Sequence, residues 1–199
     1  MAERAPPITG LILAGGLGRR MSRDGCGIDK ALQPYRGRPL IEHVIERLRP
    51  QVTTLLINTN HPADAYRRFG HPVVADRRSD RPGPLAGLQA GFAAAATPLL
   101  ACVPCDAPLL PHDLIARLLE PMLRAPAGEA PWISVARAGG QVHPVCLLAD
   151  RRVLPSIDAS LAAGDHRMGG WMARLSHCVV DFDDERAFHN VNTPADLER

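Results

Sequence analysis

A chain of 199 residues, 46% of them apolar, has material for one sizeable core and too little for two comfortable domains. Its formal net charge of +2 excludes the concentrated basic face that nucleic-acid backbones demand, and 4% aromatic residues leave few platforms for stacking single strands. The longest apolar stretch, near Phe92 to Val103, is interrupted by Thr97 and Pro98, so no run approaches the length that spans a bilayer.

Residues Met1 to Pro7 lack a basic segment followed by an apolar one, and five cysteines (26, 102, 105, 146 and 178) are odd in number and irregular in spacing. The expectation is a cytoplasmic protein with reduced thiols.

In chain order, Ile8 to Ala14 reads as a strand that runs into a glycine-rich loop. After Pro39, Leu40 to Arg49 has apolar residues at 40, 41, 44, 45 and 48, which is helical spacing. Val52 to Ile57 is an apolar strand ending in Asn58-Thr59-Asn60, Ala63 to Phe69 a short helix, and Val73 to Ala75 a short strand ending in Asp76. An Ala-rich helix, Leu85 to Ala96, follows Pro82-Gly83-Pro84, and the strand Leu99 to Val103 ends in Pro104-Cys105-Asp106. Asp113 to Leu119 is predicted helical. Trp132 to Ala136 and Val142 to Leu148 are strands around a Gly139-Gly140 turn. Asp150 to Ala162 and Arg167 to Leu175 read as helices, Cys178 to Phe182 as a last strand and Pro194 to Arg199 as a terminal helical turn.

This alternation predicts a single-domain α/β fold, a Rossmann-like three-layer sandwich with a mostly parallel sheet covered on both faces. Ligands of such sheets sit outside the carboxyl ends of the strands. Those ends carry Gly15, Gly16, Asn58, Asp76 and Asp106.

The loop Leu13-Ala14-Gly15-Gly16-Leu17-Gly18-Arg19-Arg20-Met21 brings three glycines and two arginines after a strand. Glycines let backbone N–H groups approach phosphate oxygens, and arginines add bidentate positive charge. A Walker loop is excluded because Lys30 stands between Asp29 and Ala31. A dinucleotide fingerprint is excluded because Met21 replaces its third glycine and Asn58 its strand-end acid. Lys30 is the chain's only lysine among many arginines, and an ammonium meets phosphate differently from a guanidinium.

Asp106 either caps the next segment or holds Mg²⁺, an ion bound through one or two carboxylates plus substrate phosphates. Asp76 at a neighbouring strand end favours the ion, because adjacent unpaired carboxylates call for a cation. Cys102 and Cys105 have redox spacing but end a strand, and no second pair completes a zinc site. The histidines show no ligand spacing; His143-Pro144 reads as buried scaffold in preference to a lining of the site, and Arg77, Arg78 and Arg81 as a solvated loop near the strand ends.

Taken together, LAGGLGRRM, DK, NTN, PGPLAG, CDAP, HP and NVNTPADL, spread from Ile8 to Leu197, resemble the molybdenum cofactor guanylyltransferases. The resemblance implies a fold of the nucleotide-diphospho-sugar transferase type, with a nucleotide-binding part at about 8–110 and a pterin-facing part at about 111–199. It implies that GTP and molybdenum-molybdopterin are the substrates, and that Mg²⁺ is the cofactor, held by Asp106. Leu13, Ala14, Gly15 and Gly16 would hold the nucleotide, with Lys30, Asn58, Asp76 and Asp106 at the other GTP-contacting positions. Arg19 and Lys30 would meet the triphosphate, and Asn190 and Asn192 the pterin. A monomer in transient contact with molybdoenzymes or their chaperones is the accompanying expectation. The stretch from Ser22 to Asp29 is longer than this loop is expected to be. The alternatives are a cytidylyltransferase using CTP, a sugar-phosphate nucleotidyltransferase, and a nucleotide-binding cofactor chaperone without catalysis.

Overall fold

The computed structural model describes residues 5–15, 29–77, 83–126 and 128–197. The first half carries strands β1 (Ile8–Leu13), β2 (Pro34–Tyr35), β3 (Arg38–Pro39), β4 (Thr54–Asn58), β5 (Val73–Val74) and β6 (Leu99–Pro104), with helices α1 (Leu40–Leu48), α2 (Asp64–Arg67) and α3 (Pro84–Ala94). The second half carries α4 (Leu114–Arg124), β7 (Ile133–Ala138), β8 (Gln141–Asp150), α5 (Leu154–Ala162), α6 (Met168–Met172), β9 (His177–Phe182) and α7 (Pro194–Leu197).

Seven strands form one sheet in the order β5-β4-β1-β6-β8-β7-β9, and β2 and β3 make a separate hairpin. All sheet pairings are parallel except those of β8, which is antiparallel to both β6 and β7. The exception has a local cause: β7 and β8 are joined by the two-residue turn Gly139-Gly140, with φ of 55° and 76°. Two left-handed residues in succession are what a tight hairpin turn requires. The fold is thus the expected α/β sandwich with a mostly parallel sheet.

Alternating side chains of β1 feed two cores. Ile8 and Ile12 pack with α1 and α4 on one face, and Leu11 packs with α3, α5 and α6 on the other. Helix α3 is almost wholly buried and lies close against the sheet. Gly87 and Gly91, one turn apart, permit this: a Cβ at either would stand 2.6 Å from a methyl of Leu13 or Leu11.

Some boundaries differ from expectation. The helix read from Asp150 begins at Leu154, because Asp150 still pairs with Leu99 as the last residue of β8. Its carboxylate accepts from the Arg152 N–H and turns the chain through a short 3₁₀ segment. The helix read from Arg167 to Leu175 contracts to Met168–Met172, and Gly169-Gly170 weakens it. Helix α4 runs past Leu119 to Arg124 and contains Pro121.

From β1 the chain moves outward to β4 and β5, then returns through α3 to β6 on the other side of β1. The reversal opens a crevice at the carboxyl ends of β1 and β6, the place where such sheets bind ligands.

Candidate active site

Hydrogen bonding continues past the strands at this crevice. Ala14 N–H donates to the Asn58 carbonyl at 2.7 Å, and Cys105 N–H donates to the Leu13 carbonyl at 3.0 Å. Ala14 and Asp106 are thereby set along one edge.

Three distant segments meet there. Lys30 opens a 3₁₀ turn, and its Nζ donates to Asp106 Oδ2 at 2.5 Å and to Asn192 Oδ1 at 2.8 Å. The Lys30 and Asp106 side chains are only 12% and 14% exposed, so the ion pair is largely withdrawn from water. Removing one partner would strand the other's charge. The Asp106 carbonyl accepts from Val191 N–H at 2.8 Å, which fastens the C-terminal strap to the strand end. Asp196 shapes that strap: its carboxylate accepts from Asn192 N–H at 3.0 Å, Thr193 N–H at 2.9 Å and the Thr193 hydroxyl at 2.8 Å.

Asp106 Oδ1 is buried and finds no partner among the described residues. A carboxylate oxygen in that condition is well suited to a cation. No group of three or more His, Cys, Asp or Glu able to hold a metal occurs among the described residues. Asp106 is the described carboxylate that could hold a divalent cation, an ion commonly bound through one or two carboxylates with its remaining ligands from elsewhere.

A second cluster sits at the ends of β4 and β5. Asn58 is 4% exposed, and its amide donates to Asp76 Oδ1 at 2.9 Å and to the Val74 carbonyl at 3.2 Å. Asn60 donates to Asp76 Oδ2 at 2.8 Å and accepts from Asp76 N–H at 3.0 Å. This corrects the expectation of adjacent unpaired carboxylates. Asp76 is held by two amides, Asp106 is paired with Lys30 through Oδ2 alone, and β4 and β1 stand between their strands. Three strand spacings put β5 and β6 about 14 Å apart. Asp76 therefore gives no support to a metal at Asp106.

Of the other expected residues, Leu13, Ala14 and Gly15 lie at the crevice. A Cβ on Gly15 would make only ordinary contacts, the nearest with Asn60 Nδ2 at 3.8 Å, so packing does not require its glycine. Gly16 and Arg19 lie outside the described residues. Asn190 is exposed and contributes its carbonyl to Asn192 Nδ2 at 3.3 Å, whereas Asn192 itself joins the Lys30 cluster.

Cys102 and Cys105 are buried free thiols, and burial, the largest cause for each, pushes both far up from the usual range. Neither is a redox nucleophile. His143 stacks on Phe188 with centroids 4.9 Å apart, and burial lowers its pKa.

The sequence reading missed three participants. Asn60 had a signal, since its spacing of two from Asn58 puts both on one side of an extended segment. Asp196 had one too, in the Thr193-x-x-Asp196 capping pattern. Tyr66, whose hydroxyl donates to Asp29 Oδ1 at 2.7 Å, had none.

Residues 10–179 match the family model described as a MobA-like NTP transferase domain. A molybdenum cofactor guanylyltransferase of Burkholderia ambifaria is 45% identical over 197 residues, covering 96% of this chain and 94% of that protein. Among solved structures, the molybdopterin-guanine dinucleotide biosynthesis protein A of Archaeoglobus fulgidus superposes with a TM-score of 0.73 at 20% identity, covering 96% of this chain and 95% of that one. A Mycobacterium tuberculosis protein in complex with manganese gives a TM-score of 0.65 at 20% identity, covering 97% of each chain. At these identities the structures attest the fold.

Proposed function

The chain belongs to the MobA-like NTP transferase family, and on that premise we propose that it transfers GMP from GTP to the terminal phosphate of molybdenum-bound molybdopterin. The phosphate oxygen forms a bond to the α-phosphorus, the bond from that phosphorus to the bridging oxygen breaks, and pyrophosphate leaves. The product is molybdopterin guanine dinucleotide.

The observation that carries this reading is the meeting of Lys30, Asp106 and Asn192 at the crevice, with one oxygen of Asp106 buried and without a partner among the described residues. Transfer at phosphorus needs positioning and charge neutralisation more than covalent help, so no nucleophilic side chain is required. Lys30 offers an ammonium held in advance, a donor that costs little reorganisation when charge builds on the departing pyrophosphate. Leu13, Ala14, Gly15 and Gly16 offer backbone contacts to the nucleotide, with Asn58 and Asp76 fixing the neighbouring edge. Arg19 adds charge to the triphosphate.

Asp106 would hold a divalent cation, Mg²⁺ in this reading, which when bound supplies neutralisation of the triphosphate; the manganese complex of the structural relative is consonant with that. The part at about 111–199 would face the pterin, with Asn190 and Asn192 as its contacts. Among the described residues no helix is long and apolar enough to cross a membrane. A cytoplasmic monomer that passes its product to molybdoenzymes or their chaperones completes the reading.

The test supplies purified protein with molybdenum-molybdopterin and either GTP or CTP, and measures dinucleotide and pyrophosphate. GTP should be the productive substrate, and efficient use of CTP alone would overturn the guanylyl assignment. Asp106→Ala should abolish turnover. Near-normal pyrophosphate release from that variant would remove Asp106 as the metal ligand.

A further inference from the structure

Tyr66 is completely buried, and its ring packs edge-on to Phe69 with centroids 6.0 Å apart. A buried phenol needs a partner for its hydroxyl, and this one donates to Asp29 Oδ1 at 2.7 Å. Close by, just past the end of β4, the Thr59 hydroxyl donates to the Ala14 carbonyl at 3.3 Å. One hydroxyl on α2 therefore holds the residue that precedes Lys30.

Asp29 is held at its backbone as well as its carboxylate. Its carbonyl accepts from Leu32 N–H and from Gln33 Nε2, each at 3.2 Å. With Asp29 fixed at both groups, the 3₁₀ turn begins in a set direction, and Lys30 is its first residue. A long lysine side chain has many rotamers and loses entropy on being ordered. Anchoring its backbone removes one source of that freedom before any ligand arrives.

We propose that Tyr66 is a positioning residue for the transfer reaction: by holding the Asp29 carboxylate it aims Lys30 at Asp106 and at the triphosphate. The inference rests on the proposed role of Lys30. Burial first, and the neighbouring Asp29 carboxylate second, keep the phenol far above its ordinary pKa, so it remains a donor throughout the working pH range.

Lys30 is the chain's only lysine, so protein grown with ¹³Cε-labelled lysine gives one side-chain signal. That signal is recorded without nucleotide for wild type, Tyr66→Phe, Asp29→Asn and Asp29→Ala, and kcat/KM for GTP is measured alongside. Tyr66→Phe keeps the ring and deletes the hydroxyl. It should move the Lys30 signal towards that of a free lysine and lower kcat/KM about tenfold, with the loss mainly in kcat. Asp29→Ala should reproduce both effects. Asp29→Asn retains an acceptor oxygen and should restore the wild-type signal and rate.

An unmoved Lys30 signal in Tyr66→Phe, or an unchanged kcat/KM, would overturn the proposal, as would identical behaviour of Asp29→Asn and Asp29→Ala. If Tyr66→Phe does not fold, the two Asp29 variants decide the matter. Because the signal needs no substrate, a failure of the guanylyl reading would show instead as turnover with CTP, with the Lys30 response intact.

Discussion

Alanine at an interior helical glycine ordinarily gains about 0.5–1 kcal/mol of stability, and α6 and α3 should give that substitution opposite signs. A Cβ on Gly170 has nothing within 4 Å, so Gly170→Ala should realise the gain. A Cβ on Gly87 would stand 2.4 Å from Asn58 Oδ1, 2.6 Å from Leu13 Cδ2 and 3.1 Å from Asn58 Cγ. The leucine methyl can rotate aside. The amide cannot move cheaply, because its nitrogen is committed to Asp76 and to the Val74 carbonyl in a buried position. Overpacking of this kind costs about 1–3 kcal/mol, which outweighs the propensity gain. The net loss of about 1–2 kcal/mol corresponds to a Tm roughly 2–8 °C lower in a chain of this size. Thermal melts followed by circular dichroism should therefore show Gly87→Ala below wild type and Gly170→Ala slightly above it. Displacement of Asn58 should also weaken GTP binding in Gly87→Ala. A Gly87→Ala protein that melts at or above wild type would refute the close approach of α3 to Asn58.

The Arg151 guanidinium donates to the carbonyls of Phe92, Ala95 and Thr97 at 2.9, 2.5 and 3.1 Å, capping the end of α3. Arg151→Met should destabilise the protein by about 2–4 kcal/mol, since hydrogen bonds to charged donors are the strong ones; a urea midpoint equal to wild type would remove the cap. Lys30→Arg should lower kcat/KM for GTP at least tenfold without lowering Tm by more than a few degrees, because a planar fork cannot replace a point charge here; steady-state kinetics with a melt decide it. Burial lowers the His143 pKa, so between that value and about 6.5 the unfolded chain binds a proton that the native protein refuses, and stability falls as pH drops. His143→Phe keeps a ring to stack on Phe188 and should lose less stability between pH 7 and pH 5.5 than wild type. An equal loss in chemical denaturation would locate the pH dependence elsewhere, His71 being the first alternative, since burial lowers its pKa too.

Much of the fold was legible because its signals are local. The apolar runs of β1, β4 and β6 and the spacing of α1 are set by burial within a few residues, and Gly139-Gly140 announces its own turn. Boundaries shift where local signals compete. Asp150 looks like a helix start, yet its pairing with Leu99 keeps it in β8 and moves the helix on to Leu154. The separation of Asp76 from Asp106 is hidden in the sequence for a different reason. Each follows a strand, but whether two strand ends are neighbours depends on sheet order, and the return crossover through α3 puts β4 and β1 between them.

The site shows the same division. Composition alone makes Lys30 conspicuous, and strand-end chemistry selects Asp106, but neither reveals that the two are paired. Asn192, 162 residues from Lys30, joins them only because Asp196 curls the strap and Val191 fastens it to the Asp106 carbonyl. That geometry also bears on why this position is lysine in a chain that otherwise uses arginine. Two oxygens on different segments, at 2.5 and 2.8 Å from one nitrogen, suit a compact ammonium whose three protons diverge. A guanidinium presents its donors in one plane, matching two oxygens of a single carboxylate better than one oxygen from each of two side chains. The exception in composition thus follows from the convergence of segments, which is the one property of the site that no stretch of sequence displays.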